Sequence, residues 1–443
     1  MKVNKKFFEL VQLLLDALAI YFSYSAVIYL KSFFGNPYDK ANILGIKTFI
    51  PYVIIAYLLL FFVYRLYEVG SVDFYETFLG ILFSSLMIFI LGFALSFFLR
   101  AFAVPRTVII YSFILQIVFL SLFHWVVNKV YIKLTPPLNV LLISKDKNKS
   151  FVVSEYLKVL WSGKTNIEIM FTDMNNLLQS IEDVIDKFDI FVIDDSFSTS
   201  EKEEFLKSFA YKNKPVYIVP GIYELLVLNP ETHFIDDLTL LEVNLVNISG
   251  FERLAKRIID IFVSLVALVV FSPVMLFISI SILLEDGRPI FYLQERMGVN
   301  NKTFKTIKFR TMIKDAEKFT GAVLSTENDP RITKVGRFLR KTGLDEVPQF
   351  INVLMGDMSV VGPRPERPEL MEKIKGETPN FDLRLKVKPG ITGFAQLYGK
   401  YDTPFEAKLK MDLLYAKQRH PILTDIYIMF NTVKLFLSPH KRK

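Results

Sequence analysis

The 443-residue chain has no cysteine, which excludes disulfides, thiolate metal sites and cysteine nucleophiles. Histidine is scarce: only His124, His233, His420 and His440 occur. His124 lies in an apolar run and His440 in a basic tail, so neither a Ser-His nor a histidine-metal constellation is expected. Chemistry then rests on carboxylates, basic side chains and a hard cation. What the chain has in excess is apolar surface. Hydrophobic residues make up 52%, with 42 phenylalanines, and mean hydropathy is +0.35. Soluble chains run at about 45–50% on a count that includes glycine. An ordinary cytosolic enzyme and a disordered chain are both excluded, while 22% charged residues and a net charge of +8 require part of the chain to face water.

Four apolar spans are read near residues 8–31, 46–67, 76–99 and 107–131, each meeting the ~20 residues needed to cross a bilayer core. The first block is too long and apolar for a signal peptide and has no small-residue cleavage site before the next block. Lys2, Lys5 and Lys6 before the first span and Lys129 and Lys133 at the end of the fourth place both ends on the cytoplasmic side. Asp16 inside the first span is either a functional group or a structural hydrogen bond to a neighbouring helix.

After Pro136-Pro137 the pattern changes. Short apolar runs at 139–144, 167–171, 190–194 and 216–219 alternate with helical stretches near 151–161, 175–186 and 201–210, which predicts a parallel sheet. A dinucleotide site would need glycines at the first strand-to-helix turn. That turn reads SKDKNKS, and between 138 and 249 only Gly163 and Gly221 occur. A Rossmann-like fold without nucleotide binding is expected over 136–249.

Residues 258–284 form a fifth hydrophobic segment with Ser272-Pro273 near its middle. Proline removes one backbone hydrogen bond and clashes with the preceding turn, so a kink or break is expected there. Hydropathy alone reads a kinked spanning helix. Topology favours a hairpin that enters and leaves on the cytoplasmic face, because a fifth crossing would separate residues 285–443 from the middle domain.

The remaining chain is dense in motifs: KFRTM (308–312), DPRITKVGRFLRKTGLDEVPQFINVL (329–354), GDMSVVGPRPERPE (356–369) and VKPGITGFAQLYGKYD (387–402). The second reads as two helices. Val335, Phe338 and Leu339 give the first an apolar side, and Gly343 ends it in a left-handed conformation. Asp345 then starts the next helix, with Phe350, Ile351 and Leu354 as its buried stripe. At that N-terminus the dipole and free N–H donors would keep Asp345 ionised and offer a landing site for phosphate, or Asp345 is a plain cap. Arg340, one turn earlier, is the best phosphate clamp, while Lys334 and Lys341 suit lipid head groups. Asp345 and Glu346 can divide labour, the first attacking phosphorus and the second helping to hold Mg²⁺. Arg364, presented by Pro363 and Pro365, suits bidentate phosphate recognition, or a salt bridge that stiffens its loop. The stretch 422–437 places Ile426, Phe430, Val433 and Leu437 on one face, either as an interfacial amphipathic helix followed by a basic tail or as a helix packed on the domain core.

These motifs, in order and spacing over about residues 250–440, resemble the signatures of the bacterial sugar transferase, or monotopic phosphoglycosyl transferase, superfamily. With the four-span module at 1–135 and the Rossmann-like domain at 136–249, the chain is similar to the large subgroup of polyprenyl-phosphate hexose-1-phosphate transferases. The resemblance implies a membrane protein of α plus α/β class, with an N-terminal four-helix transmembrane bundle and a mostly helical cytoplasmic catalytic domain at 250–443 carrying a re-entrant helix broken at Ser272-Pro273. It implies Asp345 as nucleophile and Glu346 near Mg²⁺. Arg340, Lys308, Arg310 and the Pro363-Arg364-Pro365 loop match positions that bind phosphate or shape the site. A UDP-sugar would give its phosphosugar to the aspartate with loss of UMP, and undecaprenyl phosphate would accept it, beginning exopolysaccharide, capsule or O-antigen assembly at the bacterial inner membrane. Dimers occur among similar proteins, so a homodimer is a further implied partner alongside membrane lipids, and nucleic acid is not expected. A non-catalytic scaffold or a lipid-linked glycan transporter is the alternative. Two departures stand out: Gly343 replaces a usual serine before Leu-Asp-Glu, and GRPIF (287–291) replaces the commoner Gly-Pro-Val-Phe.

Overall fold

The computed structural model describes residues 4–70, 74–98, 104–160, 165–173, 176, 185–209, 214–235, 238–246, 248–314, 316, 329–400 and 402–436. Most of the helical stretch expected at 175–186 lies outside these residues, as do Lys2, Leu437 and the tail from His440. The chain divides into two compact units, Met1–Gly221 and Ile222–Lys443.

The first unit opens with helices α1 (Lys5–Phe33), α2 (Lys40–Val63), α3 (Phe74–Phe98) and α4 (Arg106–Leu134). Each has a stretch long and apolar enough to cross a membrane. α1 packs on α2 and α4, and α3 packs on the same two. Large apolar side chains such as Leu14, Phe62, Ile90 and Ile114 face outward, whereas several polar groups are buried between helices. Gln12 donates to Asp16 (2.7 Å), and His124 Nε2 of α4 lies 3.0 Å from the same carboxylate oxygen. Tyr57 of α2 donates to Gln116 of α4 (2.7 Å). Asp16 thus meets a histidine that the sequence reading set aside.

The same unit continues through β1 (Leu138–Ser144), α5 (Lys147–Leu160), β2 (Thr165–Phe171), β3 (Ile190–Ile193), α6 (Thr199–Phe209) and β4 (Val216–Ile218). The strands are parallel in the order β2-β1-β3-β4. Leu141, Ile143, Phe191 and Ile193 pack on Phe205 and Phe209 of α6, and Val140, Leu142, Ile190 and Val192 pack on Leu157 of α5. Burial on both faces accounts for the unbroken apolar runs. In the turn after β1, the Asp146 carboxylate accepts from the Asn148 and Lys149 amides (2.8 and 3.3 Å). Asp146 thus caps the start of α5.

The second unit contains α7 (Ile222–Leu226), the antiparallel hairpin β5 (Glu231–Ile235) and β6 (Leu238–Glu242), the long helix α8 (Gly250–Asp286), the antiparallel ribbon β7 (Phe291–Met297) and β8 (Thr303–Phe309), and α9 (Lys334–Thr342). A 3₁₀ turn (Leu344–Glu346), α10 (Gln349–Met355), β9 (Ser359–Val361), α11 (Pro368–Glu377) and a 3₁₀ segment (Phe381–Lys386) follow. The unit ends with β10 (Gly390–Thr392), parallel to β9, then α12 (Phe394–Tyr398), α13 (Phe405–Ala416) and α14 (Pro421–Phe436). Leu225 of α7 joins Met371, Ile374, Phe381, Leu385, Leu409 and Leu413 in one core, so α7, placed with the α/β segment by sequence, packs here.

Helix α8 starts with a capping box between Ser249 and Glu252. Near that end Arg257 donates to the Val353 and Leu354 carbonyls at the end of α10 (2.6 and 2.8 Å). Lys256 pairs with Asp425 of α14 and donates to Val361 O (3.1 Å). Asp260 accepts from Ser359 Oγ and the Val360 amide (3.0 and 2.9 Å). At the other end Glu285 caps α9, accepting from the Lys334 and Val335 amides (2.7 and 2.9 Å). Between these anchors Leu265, Val269, Leu276 and Phe277 are exposed.

The helix runs through Ser272-Pro273 without interruption, so the break expected there is not a gap in the helix. Pro273 has no N–H for the Val269 carbonyl, and the Ser272 hydroxyl donates to that carbonyl instead (2.8 Å). In α14, Ile428 is fully buried and Val433 exposed, with Ile426 and Phe430 between these extremes.

Candidate active site

Thr333 caps α9 by accepting from the Gly336 amide (2.9 Å). Gly336 lets this helix press onto the end of β8, since a Cβ there would sit 2.0 Å from Thr311 O. Gly343 then turns the chain with φ +73°, a conformation glycine takes without penalty. The expected left-handed stop is present, but two details differ from expectation. Leu339 is fully buried while Phe338 is 59% exposed. The acid pair lies in the 3₁₀ turn rather than at an α-helix start, because α10 begins only at Gln349.

The buried face of α10 also differs: Gln349, Asn352 and Val353 are buried rather than Phe350, Ile351 and Leu354. Asn352 is drawn in because its amide completes the backbone of β8, accepting from the Ile307 amide (2.9 Å) and donating to Lys305 O (2.8 Å).

Glu346 is the centre of a charge cluster. Lys308, at the end of β8, donates to its Oε1 (2.7 Å), and Arg364 donates to both oxygens (2.6 and 3.1 Å). Burial disfavours the charged carboxylate, but Arg364 and Lys308 outweigh it by charge and hydrogen bonds and hold Glu346 far below the usual carboxylate range. Glu346 in turn pushes the Arg364 guanidinium above its ordinary value. Lys308 is lowered, by burial first and also by the nearby guanidinium groups of Arg364 and Arg296.

Asp345 differs from its neighbour. It makes no hydrogen bond among the described residues, and burial together with the Glu346 charge raises its pKa to about 6, against the pull of Lys308, Arg340 and Arg364. The expectation that a helix terminus keeps it readily ionised is therefore overturned: no α-helix N-terminus lies at Asp345, and desolvation dominates. Two adjacent carboxylates, one lifted by the other, form an oxygen donor set suited to a hard divalent cation.

The other residues singled out from the sequence are placed as follows. Arg340 donates through Nε to Thr311 Oγ1 (2.9 Å) and stays close enough to Asp345 for their charges to interact. Arg310 turns away, donating to the Asp286 and Gly287 carbonyls at the end of α8 (both 2.9 Å) and pairing with Asp286 (3.1 Å). Pro363 O accepts from the Gly390 amide (2.9 Å), and Pro365 O accepts from Arg296 (2.9 Å). Ser272 and Pro273 lie within α8.

Sequence reasoning did not find Arg296, Arg384, Glu366 and Asp412, which surround the Pro-Arg-Pro loop. Arg296, Arg384 and Asp412 lie far in sequence from the loop, so no spacing marks them, and Glu366, though inside the quoted motif, carries no local sign of its pairing with Arg296 and Arg384. Elsewhere, Glu231, His233 and Glu242 on the β5–β6 hairpin bring potential ligand atoms within 4.8 Å of one another, all three exposed.

The pattern that defines bacterial sugar transferases matches residues 251–439, enclosing this whole constellation. The chain is 39% identical over 223 residues to the UDP-glucose:undecaprenyl-phosphate glucose-1-phosphate transferase of Escherichia coli (strain K12), covering 49% of this chain and 48% of that protein. It is 35% identical over 257 residues to the UDP-N-acetylgalactosamine-undecaprenyl-phosphate N-acetylgalactosaminephosphotransferase of Aeromonas hydrophila, covering 57% and 60%. It is 41% identical over 193 residues to the exopolysaccharide production protein PSS of Rhizobium leguminosarum bv. phaseoli, covering 41% of this chain and 94% of that one. The match thus spans about half to three fifths of the first two relatives and nearly all of the third. Motif order, acid-pair geometry and these matches together place the chain in the bacterial sugar transferase family.

Proposed function

We propose that the chain transfers a sugar 1-phosphate from a UDP-sugar to undecaprenyl phosphate, the opening membrane step of exopolysaccharide, capsule or O-antigen assembly. The observation that carries this reading is the inequality of the acid pair: Glu346 is clamped by Lys308 and Arg364, while Asp345 has no hydrogen bond among the described residues and is raised to about 6. A carboxylate without hydrogen-bond partners, beside cations, is suited to attack phosphorus. Asp345 Oδ would bond to the sugar-bearing phosphorus as the bond to the UMP oxygen breaks, and UMP leaves. An oxygen of undecaprenyl phosphate would then displace Asp345 from the same phosphorus, giving a diphosphate-linked lipid and restoring the carboxylate.

Arg364 and Lys308 bind the donor phosphates by exchanging Glu346 for them, and Arg340 adds positive charge beside Asp345. Asp345 and Glu346 would supply oxygens to Mg²⁺, whose chemistry is to neutralise phosphate charge. The fit holds because Arg364 and Lys308, when drawn to phosphate, together free the oxygens of Glu346.

Helix α8 is read as re-entrant, and the four N-terminal helices as a transmembrane bundle, with the catalytic unit on the cytoplasmic face of the bacterial inner membrane. Support comes from the polar anchors at both ends of α8, which lie in one compact unit, while its middle exposes chiefly apolar side chains, with the hydroxyls of Ser272 and Ser281 bonded back to the helix's own carbonyls. About 44 Å of helix separates Lys256 from Glu285 at 1.5 Å per residue. A hydrophobic acceptor and a soluble donor meet naturally where such a helix enters the bilayer.

The test is UMP release by the full chain in nanodiscs containing undecaprenyl phosphate, over a panel of UDP-sugars. At least one donor is expected to yield UMP and a lipid-linked product, and Asp345→Asn is expected to abolish both. Release from no donor, or full activity in Asp345→Asn, overturns the reading.

A further inference from the structure

Arg364 is held twice. Its guanidinium is bound to Glu346, as described, and its backbone is bound from behind. Arg384 NH2 donates to the Arg364 carbonyl (2.8 Å). The next carbonyl, of Pro365, accepts from Arg296 NH1 (2.9 Å), and the Glu366 carbonyl accepts from the Met297 amide (2.9 Å). Three successive carbonyls of the loop are thus tied to side chains or backbone outside it.

Of these ties the one through Arg384 is the deepest. Its side chain is 2% exposed and that of Asp412, its ion-pair partner on α13, is 1% exposed, with Nε and Oδ2 2.9 Å apart. Its NH1 lies 3.8 Å from Glu366, and its guanidinium stacks over the Phe381 ring at 4.6 Å. A fully buried guanidinium requires a buried counter-charge and fixed hydrogen bonds. Asp412 supplies the first, and one of the second goes to the backbone of the loop that presents Arg364. Fold stability alone does not account for this placement, because a buried ion pair is often replaceable by apolar side chains at no cost.

We propose that Arg384, braced by Asp412, is a positioning residue that fixes the backbone of Arg364, so that the Arg364 side chain can leave Glu346 for a donor phosphate without the loop collapsing or drifting. The inference rests on the phosphosugar-transfer reading above for its catalytic consequence, but the brace itself is a property of the loop. When Arg364 releases Glu346, its position is defined by the backbone alone: by its own carbonyl, by those of Pro365 and Glu366 after it, and by that of Pro363 before it. A loop carrying two prolines moves as a stiff piece, so freeing one carbonyl displaces the guanidinium at its tip.

Arg384→Met alone strands a buried carboxylate and is expected to unfold the unit. The informative variant is therefore the double substitution Arg384→Met with Asp412→Leu, which removes both charges. Its melting temperature is expected to stay near that of the wild type, while hydrogen exchange at the Met297 amide, which reports the hold on Glu366, becomes faster without any substrate. In the UMP-release assay kcat/KM is expected to fall by about 10–100-fold, the size usual for partners that orient a ligating group. In an Arg364→Ala background the double substitution should cost nothing further, because a residue that acts through Arg364 has no second route.

Unchanged exchange at Met297 in a folded double variant overturns the brace. Costs that add to those of Arg364→Ala overturn its action through Arg364. If the double variant melts far below the wild type, Arg384→Lys decides: it keeps the charge pair with Asp412 but loses the planar fork, so normal transfer by that variant also overturns the proposal. Failure of the wild type itself to release UMP counts against the transfer reading alone, since the exchange measurement stands without it.

Discussion

Two neighbouring carboxyl groups with opposite shifts are the main lesson at the scale of single residues. Asp345 is raised to about 6 by burial and by Glu346, so the ionised form that the proposed attack requires disappears as pH falls through about 6. With Glu346 ionised throughout, kcat/KM is expected to drop about tenfold per unit below that pH, and a profile flat down to pH 5 would contradict the assignment. The same shift has the opposite sign for stability. A raised carboxyl favours the folded state most below its unfolded value near 4, and that contribution is lost as pH rises through about 6. Asp345→Asn is therefore expected to raise the melting temperature at pH 8 by about 2–4 °C, read by calorimetry, even as transfer vanishes. Glu346→Gln should instead lower the melting temperature, because it leaves Lys308 and Arg364 facing each other without their carboxylate, and it too should lower transfer, by about 10²-fold or more.

Among elements, α9 shows what the motif spacing could and could not reveal. Gly343 as a left-handed stop was legible because glycine just past a periodic stretch has few other uses. The true length of the following turn was not, since Leu344–Glu346 and Gln349–Met355 share one apolar pattern and differ only in how tightly the backbone winds. Arg310 looked like a phosphate ligand for its place in KFRTM, yet α8 ends beside it and its carbonyls claim the guanidinium. That claim comes from residues about 24 positions away and carries no local signal. Gly336 carries a sharper prediction. A methyl group there meets the Thr311 carbonyl at 2.0 Å, so Gly336→Ala should cost about 1–3 kcal/mol in unfolding free energy, measured by denaturant titration, and should shift Arg340 away from Asp345.

For the chain as a whole, the order of spans, the parallel sheet and the long apolar helix could all be read from periodicity and run length, because those patterns repeat over many residues. Contacts between distant single residues could not. Asp16 and His124 are 108 positions apart and meet between α1 and α4, and Lys256 finds Asp425 across 169 positions. Such pairs are invisible without the fold, yet they fix how segments join. Lys256→Met would leave Asp425 buried beside Tyr415 without its cation, and is expected to destabilise the second unit by about 3 kcal/mol, seen as a lower thermal midpoint with α8 still membrane-bound.

The double tether of α8 has one more consequence. A helix that crosses a bilayer must match its thickness, and a mismatch of even a few ångströms is relieved by tilting or by distorting the lipid. On the re-entrant reading proposed above, a helix fastened at both ends to one compact unit, as the polar contacts of Lys256, Arg257, Asp260 and Glu285 fasten this one, would meet only the nearer leaflet. Lengthening the acyl chains should leave such an enzyme almost untouched, whereas crowding the near leaflet with cone-shaped lipids should squeeze it directly.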